Sequence, residues 1–315
     1  MIRTEGLTKR FGQLTAVEDL NIHVEKGEIY GFLGPNGAGK TTTAMMLLGL
    51  LKPTSGSVYL FGKELSSDYF GIKRRIGVLS EFQYLYEDMT AYEYLRFFGQ
   101  LYQIDNIDQR ITNILGLFNL DHRKHELLSG YSKGMKQKLG LARAMLHDPE
   151  LVILDEPVSS LDPHGIKEVR DIIMDENRKG RTFFISSHIL SEIERTCDRI
   201  GILNKGRLVA EDTMSNLRRR LTEEIEISIE LESPVPDLNK ILSALPFVVE
   251  VQGSGPDYTV RTKADKDYRA EISRAIAGAG GVTVSMRRHE MTLEEAFVTI
   301  TEKNITLLTK EGAAV

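Results

Sequence analysis

Gly34-Pro35-Asn36-Gly37-Ala38-Gly39-Lys40-Thr41-Thr42 follows the apolar run Ile29–Leu33 and leads into a second apolar stretch that ends at Leu51. The order of strand, glycine-rich loop and helix predicts a P-loop. Glycines let successive backbone N–H groups converge on phosphate oxygens, and the helix start adds partial positive charge. Lys40 is expected to reach the β and γ phosphates, and Thr41 to offer its hydroxyl to Mg²⁺. A glycine-rich turn that binds nothing needs neither the Gly-Lys-Thr ending nor the flanking strand and helix.

A second apolar run, Leu151-Val152-Ile153-Leu154, ends in Asp155-Glu156-Pro157. That puts two carboxylates at the C-terminal edge of a sheet, where ligands of open α/β folds bind. Asp155 is expected to hold Mg²⁺, directly or through water. Glu156 is the better candidate to polarise an attacking water, because phosphoryl transfer asks mainly for positioning and charge stabilisation. Alone, Asp-Glu after a strand marks a turn; beside a P-loop it marks a phosphate site.

From residue 1 to about 220, short β-rich runs at 29–33, 76–79, 151–154 and 182–185 alternate with helical stretches, an α/β pattern. Strands this apolar predict a sheet covered on both faces. Between about 81 and 149 the pattern turns helical: Thr90-Ala91-Tyr92-Glu93 reads as a capping box, and 92–102 carries apolar residues on one face. A helical insertion in the α/β domain is expected. Residues 222–315 change texture, giving strand, helix, strand, strand, helix, strand and a last helix over 292–302. This order predicts a small α+β, ferredoxin-like domain. The basic run Arg218-Arg219-Arg220 between the two reads as a solvated helix end.

The chain of 315 residues is 41% hydrophobic, enough for a large core and a smaller second one. A net charge of −5 supplies no basic field, so no nucleic-acid partner is expected. The single cysteine, Cys197, allows no intrachain disulfide, and Met1-Ile2-Arg3-Thr4-Glu5 reads as the start of a strand rather than a signal peptide. Apolar stretches such as 44–51 are far shorter than the roughly 20 residues that cross a bilayer. Any membrane role must come from a partner.

Taken together, these residues resemble the ABC ATPase family, and its other motifs follow in order. Tyr131-Ser132-Lys133-Gly134-Met135 is similar to the family signature, with Lys133 and Met135 where its commonest form has glycine and glutamine. The upstream Leu128-Ser129-Gly130 sits out of register: Ser132 has the family's spacing to Asp155 and stands where a helix N-cap belongs. Ser160-Leu161-Asp162-Pro163 resembles the D-loop, and Ser186-Ser187-His188 the switch-histidine segment. Phe11 takes the place of the aromatic that stacks on adenine. Glu81 stands where many members carry glutamine; a carboxylate can also ligate Mg²⁺.

The resemblance implies an ABC-type P-loop NTPase fold that binds and hydrolyses ATP with Mg²⁺. It implies a head-to-tail dimer with a second copy, or a paralogous ATPase subunit. In that dimer Ser132, Lys133, Gly134, Met135 and Asp162 serve the partner's nucleotide, while His188 contacts the γ-phosphate. It further implies transmembrane permease subunits as partners, a peripheral place on the cytoplasmic side of the cell membrane, and a lean to export. Tyr84 and Tyr86 are expected to line a groove for a short permease helix. A chromosome-repair ATPase would need a long coiled coil between Lys40 and Ser132, a translation factor two tandem cassettes, and a kinase neither signature nor D-loop. A non-transport regulatory ABC ATPase is the remaining alternative.

Overall fold

The computed structural model describes residues 1–81, 83–213, 215–217, 224–289, 295, 297 and 298. They fall into two compact units, one within 1–214 and one within 215–303. Of the helix expected over 292–302 only residues 295, 297 and 298 are described, and the basic run at 218–220 and Phe82 lie outside the described residues.

In the first unit, β1 (Ile2–Phe11), β2 (Leu14–Leu20), β3 (His23–Val24), β5 (Ser55–Leu60) and β6 (Lys63–Glu64) form an antiparallel sheet. The second sheet holds the site. Its strands are β4 (Ile29–Leu33), β7 (Ile76–Leu79), β8 (Leu151–Asp155), β9 (Thr182–Ser187), β10 (Arg199–Asn204) and β11 (Arg207–Asp212), in the order β11-β10-β4-β9-β8-β7. All pairs are parallel except β10 with β11. Every residue of β4, β8 and β9 is buried, as expected of central strands covered on both faces. Phe32 and Phe184 pack ring to ring across β4 and β9, 5.3 Å between centroids.

Helix α1 (Lys40–Leu47) leaves the loop after β4. It stops short of the expected Leu51 because Gly49 takes φ 62°, and Leu50 N–H returns to the Met45 carbonyl at 2.9 Å. A glycine in the left-handed region just past a helix is the common way to end it. After α2 (Tyr69–Lys73) and β7 come the helices α3 (Ala91–Leu101), α4 (Ile107–Leu117) and α5 (Lys133–Met145). Both halves of the Thr90/Glu93 capping box are formed at α3. Buried Tyr94, Leu95, Ile111, Leu115 and Leu139 give these helices an apolar interior. Then α6 (Pro163–Arg178) joins β8 to β9, and α7 (Leu190–Thr196) joins β9 to β10.

The second unit runs β12 (Glu224–Leu231), helix Leu238–Ser243, β13 (Val248–Ser254), β14 (Asp257–Lys263), helix Arg269–Gly278 and β15 (Thr283–His289). The sheet order is β13-β14-β12-β15, with all neighbours antiparallel. Strand β12 alternates: Ile225, Ile227, Ile229 and Leu231 are buried with Leu242, Ile272 and Ile276 of the helices. That period of two faces one side of the sheet to the helices.

Candidate nucleotide site

Three adjacent strands, β4, β9 and β8, run parallel, so the segments at their C-terminal ends come together at one edge. The first is the loop 34–39. Gly37 and Gly39 have φ 78° and 109°, and a Cβ on Gly39 would lie 2.4 Å from the Ala16 carbonyl oxygen. Only glycine satisfies both the backbone angle and the approach. Lys40, 7% exposed, donates from Nζ to the Gly34 carbonyl at 2.8 Å and the Pro35 carbonyl at 3.4 Å.

The second segment is the end of β8. Asp155 Oδ2 accepts from Thr41 Oγ1 at 2.9 Å, while its Oδ1 accepts from Ser186 Oγ on β9. Glu156 is 5% exposed and has φ 50°. A non-glycine residue there costs on the order of 1 kcal/mol or more, so its surroundings must hold it. Its N–H donates to the Ser186 carbonyl at 3.0 Å. One carboxylate oxygen lies 3.6 Å from Lys40 Nζ, the other 2.9 Å from Nδ1 of His188, which follows β9.

Lys40, Thr41, Asp155, Glu156 and His188 therefore form one connected cluster drawn from three chain segments. Glu81 follows β7 at the same sheet's edge and is exposed. Asn36 and Gly37 are exposed and Ala38 is buried; Thr42 lies in the first turn of α1. Phe11 ends β1 with its ring 48% exposed and Lys9 Nζ 5.1 Å above it, so it is no core aromatic.

Ser132 caps α5, accepting from Met135 N–H at 3.2 Å, whereas Leu128–Gly130 is a separate short 3₁₀ turn. Lys133 is exposed, and Met135 Sδ accepts from Arg123 at 3.4 Å. Asp162 caps α6, accepting from Gly165 N–H at 2.8 Å. A Cβ on Gly134 would meet Leu161 at 3.4 Å and the Ser160 carbonyl at 3.6 Å, so the α5 start and the 160–163 loop pack together.

Sequence reasoning gave no bracing role to three residues that hold this cluster. Ser186 fixes Asp155. Gln137, 5% exposed on α5, donates to the Pro157 carbonyl at 2.8 Å and the Glu156 carbonyl at 3.3 Å. Gln83 donates to Gln137 Oε1 at 2.9 Å. Position in the helical period could have found Gln137, a polar residue on the buried face of α5; nothing local marks Gln83.

Residues 17–159 match the family described as ABC transporter. The chain is 39% identical over 301 residues to the bacitracin transport ATP-binding protein BcrA of Bacillus licheniformis, covering 95% of this chain and 96% of that protein. A fluoroquinolones export ATP-binding protein of Mycobacterium tuberculosis is 40% identical over 223 residues, 69% of this chain and 72% of its own. A solved structure described as the ATP binding subunit of an ABC transporter superposes with a TM-score of 0.65 at 32% identity, covering 70% of this chain and 92% of that one. The P-loop fold and the likeness to BcrA over 95% of the chain lead to one conclusion: the chain belongs to the ABC transporter family, among its ATP-binding proteins.

Proposed function

We propose that this chain hydrolyses ATP to power transport, most simply export, through a separate transmembrane permease. The observation that carries the reading is the contact of the buried Lys40–Glu156 pair with the exposed His188, beside the Thr41–Asp155 pair, at the mouth of a P-loop. The loop 34–39 and the N-terminus of α1 cradle phosphates, and Lys40 exchanges its carbonyl partners for β and γ oxygens. Phe11 offers its exposed ring face to adenine. Glu156, with its carboxylate oriented by Lys40 and His188, accepts a hydrogen bond from the attacking water and aligns it with the γ-phosphorus. His188 reaches the γ-phosphate through its second ring nitrogen, which donates when the ring is protonated.

The residues fit Mg²⁺. Thr41 and Asp155 present hard oxygen donors 2.9 Å apart, and this ion takes one or two carboxylates together with nucleotide phosphates rather than a full protein cage. Asp155 and Thr41 would hold it, with Glu81 as a further ligand, and it would neutralise phosphate charge.

Ser132, Lys133, Gly134, Met135 and Asp162 lie on the α5 start and the loop it packs against, and act on the nucleotide of a second copy or a paralogous subunit. Among the described residues no helix is long and apolar enough to cross a membrane, which fits a peripheral subunit on the cytoplasmic face working through a permease. The second unit, by its strand order, is a ferredoxin-like accessory domain, and the domain boundary falls near 220. The names of the relatives support the transport reading over a regulatory ATPase without transport. The test is Mg²⁺-dependent phosphate release, with ATP affinity measured alongside, by the purified chain and by Lys40→Ala. Loss of ATP affinity in the variant is expected; wild-type affinity there would remove Lys40 from the phosphate site.

A further inference from the structure

Glu156 sits in an unfavourable backbone region, and its side-chain contacts alone do not fix the backbone that carries it. The Glu156 carbonyl accepts from Ser159 Oγ at 3.1 Å and from Gln137 Nε2 at 3.3 Å, and the adjoining Pro157 carbonyl accepts from the same Gln137 nitrogen at 2.8 Å. Two carbonyls on one side determine which end of the Gln137 amide faces them, because only –NH₂ donates. Its oxygen must then point the other way, where it accepts from Gln83 Nε2 at 2.9 Å. The Gln83 amide is thereby oriented too, and its own oxygen is buried without a hydrogen-bond partner.

Gly140 makes room for this arrangement. A Cβ there would overlap the Gln83 amide, 1.7 Å from Oε1 and 2.4 Å from Cδ. Gln83 is half-buried and immediately precedes Tyr84, which is 93% exposed. Two amides thus connect the segment that carries exposed Tyr84 to the backbone of the carboxylate.

We propose that Gln83 and Gln137 are positioning residues for Glu156, Gln137 holding the Glu156–Pro157 turn and Gln83 acting solely by orienting Gln137. The inference rests on Glu156 as the residue that aligns water. It concerns this chain's own amides and neither the nucleotide contacts nor the metal ligands.

The test is steady-state ATP hydrolysis by the full chain, Gln83→Ala, Gln137→Met, Gly140→Ala and the Gln83→Ala/Gln137→Met pair, with ATP affinity and Tm measured alongside. A neutral hydrogen bond to a buried group corresponds to about a fivefold effect. Gln83→Ala should lower kcat by about that factor with KM unchanged, and Gln137→Met by about tenfold or more, since two contacts are lost. The double variant should match Gln137→Met alone, because Gln83 has no other route to Glu156. Losses that multiply, or an unchanged kcat in Gln137→Met, would overturn the proposal. So would a rise in KM with kcat unchanged, or a fall in kcat explained by lower Tm. Should Gln137→Met not fold, Gly140→Ala decides: its added methyl displaces the Gln83 amide, so it should lower kcat as Gln83→Ala does and add nothing to it. A wild-type kcat in Gly140→Ala refutes the relay. No hydrolysis by the unaltered chain overturns both this proposal and the reading of the site; hydrolysis with indifferent variants overturns this proposal alone.

Discussion

Glu156 meets Lys40 through one carboxylate oxygen and His188 through the other, so Glu156→Gln keeps the shape of the site while removing its charge. Hydrolysis should fall about a hundredfold or more, the loss typical of a removed general base. ATP binding should persist, since Thr41, Asp155 and the loop 34–39 are untouched. If α5 of a second copy seals the nucleotide, the variant should accumulate as a dimer in excess ATP and Mg²⁺, and light scattering that finds only monomer would count against that arrangement. A different residue sets a pH dependence. His147 Nε2 lies 3.1 Å from the Ile76 carbonyl, its Nδ1 is buried without a partner, and Tyr102 stacks on the ring at 3.9 Å. Burial lowers its pKa from 6.5 to about 4. The unfolded chain therefore binds a proton between pH 6.5 and 4 that the folded chain refuses, and stability falls as pH drops through that window. The full effect is about 3 kcal/mol at most. His147→Phe should flatten the urea midpoint's slope over that range; an identical slope would assign the loss to other groups. At this scale the sequence was most legible where chemistry dictates spacing. The loop 34–42, Asp155-Glu156 and Ser132 could be singled out without a structure, because the chemistry proposed for them ties residue type to order. Gln83 and Ser186 could not, because their meaning is a partner distant in the chain.

Helix α5 lies against β7, and the approach depends on a missing side chain: a Cβ on Gly77 would stand 2.1 Å from the Ala144 carbonyl oxygen and 2.9 Å from Pro149. The obstacle is backbone, which yields poorly, so Gly77→Ala should cost about 1–3 kcal/mol and lower Tm. Gly116 in α4 is the contrast. Nothing lies within 4 Å of an added Cβ there, and Gly116→Ala should stabilise by about 0.5–1 kcal/mol. Urea melts that rank the two the other way would contradict this account of the packing. The elements found from sequence were those with one strong local cause, such as the all-apolar strands and the Thr90/Glu93 capping box. The antiparallel sheet of β1, β2, β3, β5 and β6 was not specified in advance, because its strands mix buried and exposed residues without regular alternation, as in the β1 pattern interrupted by register shifts against β2 and β5. The end of α1 was placed too late because hydrophobicity continues past Gly49 while the backbone does not.

At the scale of the whole molecule, each unit carries its own apolar interior. In the second, Ile225, Ile227, Ile229, Leu231, Leu238, Leu242, Val260, Ile272 and Ile276 are each at most 3% exposed. A four-stranded sheet with two helices on one face is enough for independent stability, which a lone hairpin is not. Every residue assigned to the phosphate site lies before the second unit begins, and the strands that align them, β4, β8 and β9, pair only with strands of the first. Deleting residues 222–315 should therefore leave a chain that unfolds cooperatively and binds ATP within about twofold of the full-length protein, a difference under 0.5 kcal/mol. The measurement is equilibrium titration with a fluorescent ATP analogue, with circular dichroism to establish that the truncated chain is folded. A soluble, folded truncation that no longer binds nucleotide would show that the tail completes the site, and the boundary near 220 would have to be abandoned as a functional one. A truncation that binds normally but no longer dimerises would instead assign subunit pairing to the tail, since in the proposed arrangement one chain binds the nucleotide and a second seals it.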